Sequence, residues 1–272
     1  MEHHQHGHYV EMLDLDGEVL SGTFEIITAW IAGHLGEHPA GRLLDLGAGT
    51  GTGTFALLNR FDGAQVTAVD GSADMLTHLS ARAASHGLAG RVHPHEADLD
   101  TEPLPSGPFD LAWASASMHH LADPARLLAD LRSALAPGGL FAMIEFETFP
   151  RFLPEDVGAG LEGRLNRHAD AVREAHHPTV NSDWTARLNS SGFTVLEERT
   201  FETDLQAPLS ETEVRYARVT LTRLGESMGE HLSPEDRAVL DALLSEEGPD
   251  RLETRSDLTV RSSRRAWIAA PR

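Results

Sequence analysis

The chain has 272 residues, 42 acidic against 22 basic side chains, a formal net charge of −20 and no cysteine. The length accommodates one full α/β domain with a helical appendage, and the missing cysteines exclude disulfides, thiolate metal sites and cysteine nucleophiles. The charge repels a duplex or structured RNA unless a local basic groove compensates, and no apolar run reaches the roughly 18 residues of a membrane span.

Residues 1–40 read as an N-terminal helical lid or tail. The interrupted run His3, His4, His6 and His8 invites a metal reading. A structural site normally needs about four ligands fixed by a fold, however, so a flexible polar tail and no metal are expected. No apolar signal-peptide core is present, which points to a cytoplasmic protein. From Gly22 to Gly36, Phe24, Ile27, Ile31 and Leu35 recur at helical spacing.

The run Leu43-Leu44-Asp45-Leu46 reads as a buried strand, and Gly47-Ala48-Gly49-Thr50-Gly51-Thr52-Gly53 as a tight loop before a helix over 54–60. Such a loop presents a ligand to free N–H groups at a helix N-terminus. A dinucleotide site wants G-x-G-x-x-G, but the third glycine of that pattern is missing from both registers, where Thr52 and Thr54 stand. The pattern is D-x-G-x-G-x-G.

Gln65 to Asp70 is an apolar strand ending in an acid, and Ser72 caps a helix to about His86. Arg91–His95 and Pro108–Ala114 are the third and fourth strands. Asp123 and Pro124 open the next helix as N-cap and first residue, Pro137-Gly138-Gly139 closes it, and Leu140–Phe146 is the fifth strand. Strands alternating with helices imply a doubly wound, mostly parallel α/β sheet. Residues 41–204 are expected to form its core, with a helical cover at about 150–190 and a sixth strand at Gly192–Glu197. Residues 205–257 read as a helical insertion, for which a lid, a dimer contact (hence a homodimer) and core packing stay open. Residues 258–272 read as a final strand around Arg264–Ala269. The C-terminal arginines 251, 255, 261, 264, 265 and 272 read as a solvated face and tail.

The ordered set Leu44–Gly51, Ala68–Leu76, Ala97-Asp98, Phe109–Leu111, Ser117–Asp123 and Leu135–Gly139 resembles the small-molecule branch of the class I S-adenosylmethionine-dependent methyltransferases. The specific part of the resemblance covers residues 40–147. It implies a Rossmann-like methyltransferase sheet and S-adenosylmethionine as cofactor, with S-adenosylhomocysteine as product. The cofactor-binding positions it implies are Asp45, Gly47, Ala48, Gly49, Gly51, Asp70, Gly71, Met75, Ala97, Asp98 and Ser115. Tyr9 joins them if the N-terminal segment closes the pocket. Asp70 would accept from the ribose hydroxyls and Met75 would cover the adenine; Asp45 reads alternatively as an anchor of the loop. Trp113–Ser117 lacks the Pro-Pro-aromatic motif of methyltransferases acting on base amines.

The expected acceptor is therefore a small molecule, neither nucleic acid nor membrane. O-methylation stands ahead of N- or C-methylation, and the all-arginine, GC-rich usage suggests secondary metabolism. A catalytically silent cofactor binder and a macromolecule methyltransferase are the alternatives. His119 and His120 fall just past the fourth strand, where an imidazole can serve as base at neutral pH; His119 is preferred. Glu145 ends the fifth strand at the same edge. Arg164, Arg167, His168, Arg173, His176 and His177 populate the substrate-cover region.

Overall fold

The structure is a computed structural model that describes residues 2–38, 40–177 and 179–272, and no side chain of residues 2–7 or of Glu230. Two compact units share the chain. One comprises residues 21–146, 177–201 and 264–272, the other residues 1–20, 147–176 and 202–263.

The first unit carries the sheet. Helix α2 (Ser21–Leu35) leads into β1 (Arg42–Leu46), α3 (Thr52–Arg60), β2 (Gln65–Asp70), α4 (Ala73–Ser85), β3 (Val92–Glu96) and β4 (Phe109–Ser115). Then follow α5 (Pro124–Ala134), β5 (Leu135–Arg151), α7 (Trp184–Ser190), β6 (Phe193–Leu205) and β7 (Val260–Pro271), α6 (Leu161–His176) belonging to the other unit. The seven strands lie in the order β3-β2-β1-β4-β5-β7-β6. The pairings of β1 with β2 and β4, of β2 with β3 and of β4 with β5 are parallel. This is the expected Rossmann-like α/β sheet flanked by helices.

Local chemistry sets its element ends. Ser72 Oγ accepts from the Met75 N–H at 3.3 Å, and Asp123 Oδ1 from the Arg126 N–H at 3.3 Å with Pro124 opening α5. The strand after α5 begins at Leu135, earlier than expected, and runs through Pro137-Gly138-Gly139. A register shift against Phe109 and Leu111 absorbs this segment, and Gly139 passes there because a Cβ would stand 2.8 Å from the Phe109 carbonyl oxygen.

The N-terminal boundary differs from the expected cut at residue 40. Helix α2 buries Phe24, Ile27, Ile31 and Leu35, and Phe24 sets its ring 6.3 Å from that of the buried Trp113, so α2 belongs with the sheet. Arg264 also departs from expectation. It is only 2% exposed, its guanidinium lying 5.1 Å from the Phe24 ring and 4.3 Å from the Phe146 ring. Two aromatic faces make a buried guanidinium tolerable where no solvent reaches it.

In the other unit, α1 (Glu2–Val19) packs on α8 (Glu211–Met228), with α9 (Pro234–Leu244) following. The expected flexible tail is thus helical backbone. Tyr216 donates to Asp16 at 2.7 Å, Arg215 pairs with Glu11, and Arg223 lies 4.6 Å over the Tyr9 ring. These partners lie about two hundred residues away in sequence and hold a segment that carries little apolar periodicity of its own. The expected cover and insertion are not separate either: 147–176 and 202–263 share one unit, with Phe152 edge-on to Tyr216 at 5.3 Å. No helix among the described residues is long and apolar enough to cross a membrane.

Candidate active site

Strand register brings the sheet unit's candidates to one edge. Leu46, the last residue of β1, pairs with Val69 of β2 and Ala114 of β4; Asp70 pairs with Glu96, and Ser115 with Ile144. Gly47, Gly71 and Ala97, each just past its strand end, therefore share the carboxyl edge with Glu145, which follows Ile144 within the longer β5. The order of connection reverses between β1 and β4, which is where open α/β sheets bind ligands.

The glycine loop is tied down from both sides. The Gly47 and Ala48 N–H groups both donate to the Val69 carbonyl at 2.9 Å. Gly47 has φ +69°, and a Cβ on it would stand 2.4 Å from Ser117 Cβ; Ser117 is itself held by its Oγ donating to the Leu46 carbonyl at 2.8 Å. Only glycine fits there. Gly51 is the N-cap of α3 and offers no side chain, so the helix opens on bare backbone.

Asp45 and Asp70 part company. Asp45 is 2% exposed and accepts from Thr54 Oγ1 at 2.7 Å. Burial, more than offsetting that hydrogen bond, pushes its carboxyl up to about 7. Gly53 passes close by, since a Cβ there would meet Trp113 Nε1 at 2.4 Å and Asp45 Oδ2 at 3.1 Å. Asp45 thus anchors the start of α3 beneath the loop. Asp70, half-buried, accepts from Gly49 N–H at 2.8 Å and Ser72 N–H at 2.9 Å. It locks the loop to the turn beyond β2 while keeping a face toward solvent.

Met75 is buried at the start of α4 and Ala97 is buried beyond β3, its N–H donating to the Asp70 carbonyl at 3.1 Å. The exposed Asp98 turns its side chain to its own segment. The carboxylate accepts from Asp100 N–H at 2.9 Å and Thr101 Oγ1 at 2.8 Å, and these bonds hold its pKa below the usual carboxylate range. The side chain closes a turn. Tyr9 lies in the other unit, covered by Arg223.

The three candidates for acid–base work converge. His119, 6% exposed, places Nδ1 at 2.6 Å from Glu145 Oε2, and its backbone N–H donates to Glu145 Oε1 at 3.3 Å. A carboxylate only accepts, so Nδ1 bears a proton, and in the neutral imidazole the lone pair then lies on Nε2. Sequence reasoning set the two side by side at one edge without pairing them. It missed the partners that complete the cluster. Thr179 Oγ1 donates to the His119 carbonyl at 2.9 Å, and His177 stands edge-on to His119 at 5.6 Å and to His120 at 4.5 Å. The His120 ring lies 4.1 Å from that of His119. Desolvation first, then the two neighbouring imidazoles, push His120 down to about 4, although one side of the residue stays open to solvent. His120 is thus neutral at pH 7. Pro178, next to His177, lies outside the described residues.

Residues 43–139, which carry this loop, His119 and His120, match the family described as "Methyltransferase domain". This segment matches a methyltransferase domain. The domain is not confined to one kind of relative. The 27-O-demethylrifamycin SV methyltransferase of Amycolatopsis mediterranei is 27% identical over 192 residues, covering 71% of this chain and 66% of that protein. The malonyl-[acyl-carrier protein] O-methyltransferase of Geobacter sulfurreducens is 38% identical over 165 residues, 60% of this chain and 58% of that one. The first curated relatives are matched over 26 to 66% of their own lengths. In fold, the methyltransferase domain and its surroundings resemble an S-adenosylmethionine-dependent methyltransferase of Thiobacillus denitrificans solved with S-adenosylhomocysteine. The TM-score is 0.50 at 20% identity, over 90% of each chain.

Proposed function

We propose that the protein transfers a methyl group from S-adenosylmethionine to a hydroxyl oxygen of a small metabolite. The observation that carries the reading is the buried His119–Glu145 pair at the carboxyl edge that the glycine loop also occupies.

The residues present suit the cofactor. Gly47 gives the tight turn that the close approach of Ser117 demands, Gly49 adds no side chain against an aminocarboxypropyl arm, and the solvent-facing side of Asp70 suits the hydroxyls of a ribose. Met75 supplies a polarizable surface near them. When bound, the cofactor supplies a methyl group on a positively charged sulfur, ready for in-line displacement.

The chain's own contribution is alignment, exclusion of water and proton removal. A hydroxyl is a poor nucleophile until its proton leaves. His119 Nε2 takes that proton, and Glu145 at Nδ1 fixes the tautomer and stabilises the imidazolium that results. Thr179 and the two neighbouring imidazoles hold the ring in place. The C-terminal arginines support a small acceptor over nucleic acid: Arg264 is buried, Arg255 pairs with Asp257, and Arg272 donates to Thr194 and Asn189. Two relatives whose names specify O-methylation point the same way.

The test incubates the full chain and S-adenosylmethionine with a panel of hydroxylated metabolites and follows S-adenosylhomocysteine release. Acceptor-dependent release that His119→Ala removes supports the reading. Release that is equal in the variant, or transfer confined to amines, overturns it.

A further inference from the structure

The unit formed by residues 1–20, 147–176 and 202–263 contains a cavity of about 350 Å³ lined by Arg151, Arg164, Arg167 and Arg261, with Glu155 and Glu162 as the acids. For a chain of net charge −20 with no lysine, four of the 22 cationic side chains on one small cavity is a strong local reversal of sign.

The four differ in what already holds them. Arg164 is spent. Its Nε and Nη2 engage the Asp236 carboxylate, and Nη1 and Nη2 also donate to the Ala159 and Gly158 carbonyls at 2.7 Å. Arg261 donates from Nη2 to the Leu153 carbonyl at 3.0 Å, and its buried Nε meets no acceptor among the described residues. Arg151 and Arg167 are exposed. Three guanidinium groups thus face two carboxylates.

Of those two, Glu162 is already committed to the protein. It is 6% exposed and accepts from the Phe152 and Leu153 N–H groups at 2.8 and 2.9 Å. Burial raises its carboxyl to about 6 despite those bonds and despite Arg261 and Arg151 nearby. The acid therefore organises the cavity wall at 152–153 and leaves guanidinium edges without a full complement of acceptors. Planar guanidinium forks match the geometry of carboxylate and phosphate oxygens.

We propose that this arginine-lined cavity binds a small oxyanion, the carboxylate or phosphate group of a soluble metabolite. The site lies within one unit and does not depend on methyl transfer.

Calorimetric titration of the full chain, without cofactor, uses inorganic phosphate and succinate as separate probes in chloride buffer at pH 7.5. Three proteins are compared: wild type, Arg151→Gln/Arg167→Gln, and Arg265→Gln as a control arginine outside the unit. Both replaced side chains are exposed, and circular dichroism confirms folding. Saturable binding of either anion that weakens at least tenfold in the double variant and is unchanged in Arg265→Gln supports the site. Phosphate alone marks a phosphate-ester ligand and succinate alone a carboxylate ligand. No saturable binding by wild type, equal binding by the double variant, or equal weakening by the control overturns it.

Discussion

Glu145 holds His119 at two points, Oε2 at 2.6 Å from the ring Nδ1 and Oε1 at 3.3 Å from the backbone N–H. The carboxylate that fixes the ring's tautomer also fixes its position. If the pair acts as base and orienter, His119→Ala lowers kcat by about 10²–10⁴, the usual worth of general-base catalysis. Glu145→Gln lowers it by a smaller factor, with KM little changed. A merely structural role would leave the pH profile alone. The expected result for His119→Ala is a rate that climbs with hydroxide through the region where wild type levels off.

Gly47→Ala tests the loop's close approach. The new Cβ meets Ser117 Cβ at 2.4 Å on a backbone of φ +69°. The expected loss is roughly 1–3 kcal/mol from overpacking and about 1 kcal/mol from the left-handed backbone. Adding Ser117→Gly relieves the first part only. Urea unfolding of both variants measures the coupling; equal loss in single and double variants would contradict the contact.

Asp45 gives the fold a pH dependence. Its folded carboxyl is raised to about 7 from an ordinary value of 3.8, so the folded state binds the proton more tightly. That stability is complete below about pH 4 and is lost as pH rises through about 7. Asp45→Asn keeps a neutral acceptor for Thr54 and should flatten this decline. Thermal unfolding from pH 4.5 to 8 is expected to show the variant gaining on wild type as pH rises.

His120 acts in the opposite sense. A folded value lowered to about 4 from 6.5 means the unfolded chain binds this proton first. The contribution is whole above about pH 6.5 and fades on acidification. Ring-proton NMR should show His120 neutral down to about pH 4, and titration near 6.5 would refute the packed imidazole cluster.

The sheet and glycine loop are legible in the sequence because their signals are local. Leu43–Leu46 and Gln65–Asp70 are apolar runs, Gly47–Gly51 follows at once, and Ser72 and Asp123 cap helices within three residues. What escaped depends on distant partners. Helix α1 leans on Tyr216 and Arg215, Arg264 finds Phe24 and Phe146, and His177 and Thr179 reach His119 from some sixty residues on. Asp98 shows the converse: its position at the strand edge was legible, but Asp100 and Thr101 compete for its carboxylate in a turn no strand pattern reveals. The third wall of the loop, Gly53 against Trp113, had a signal in the extra glycine after Gly51.

Calorimetric titration with S-adenosylhomocysteine, wild type against Asp70→Ala, probes a methyltransferase site built on the loop and Asp70. Wild type is expected to bind at micromolar concentration and the variant at least tenfold more weakly, since it loses the acceptor for ribose together with the partner of the Gly49 and Ser72 N–H groups. Undetectable binding by wild type, or equal affinity in the two proteins, would contradict it.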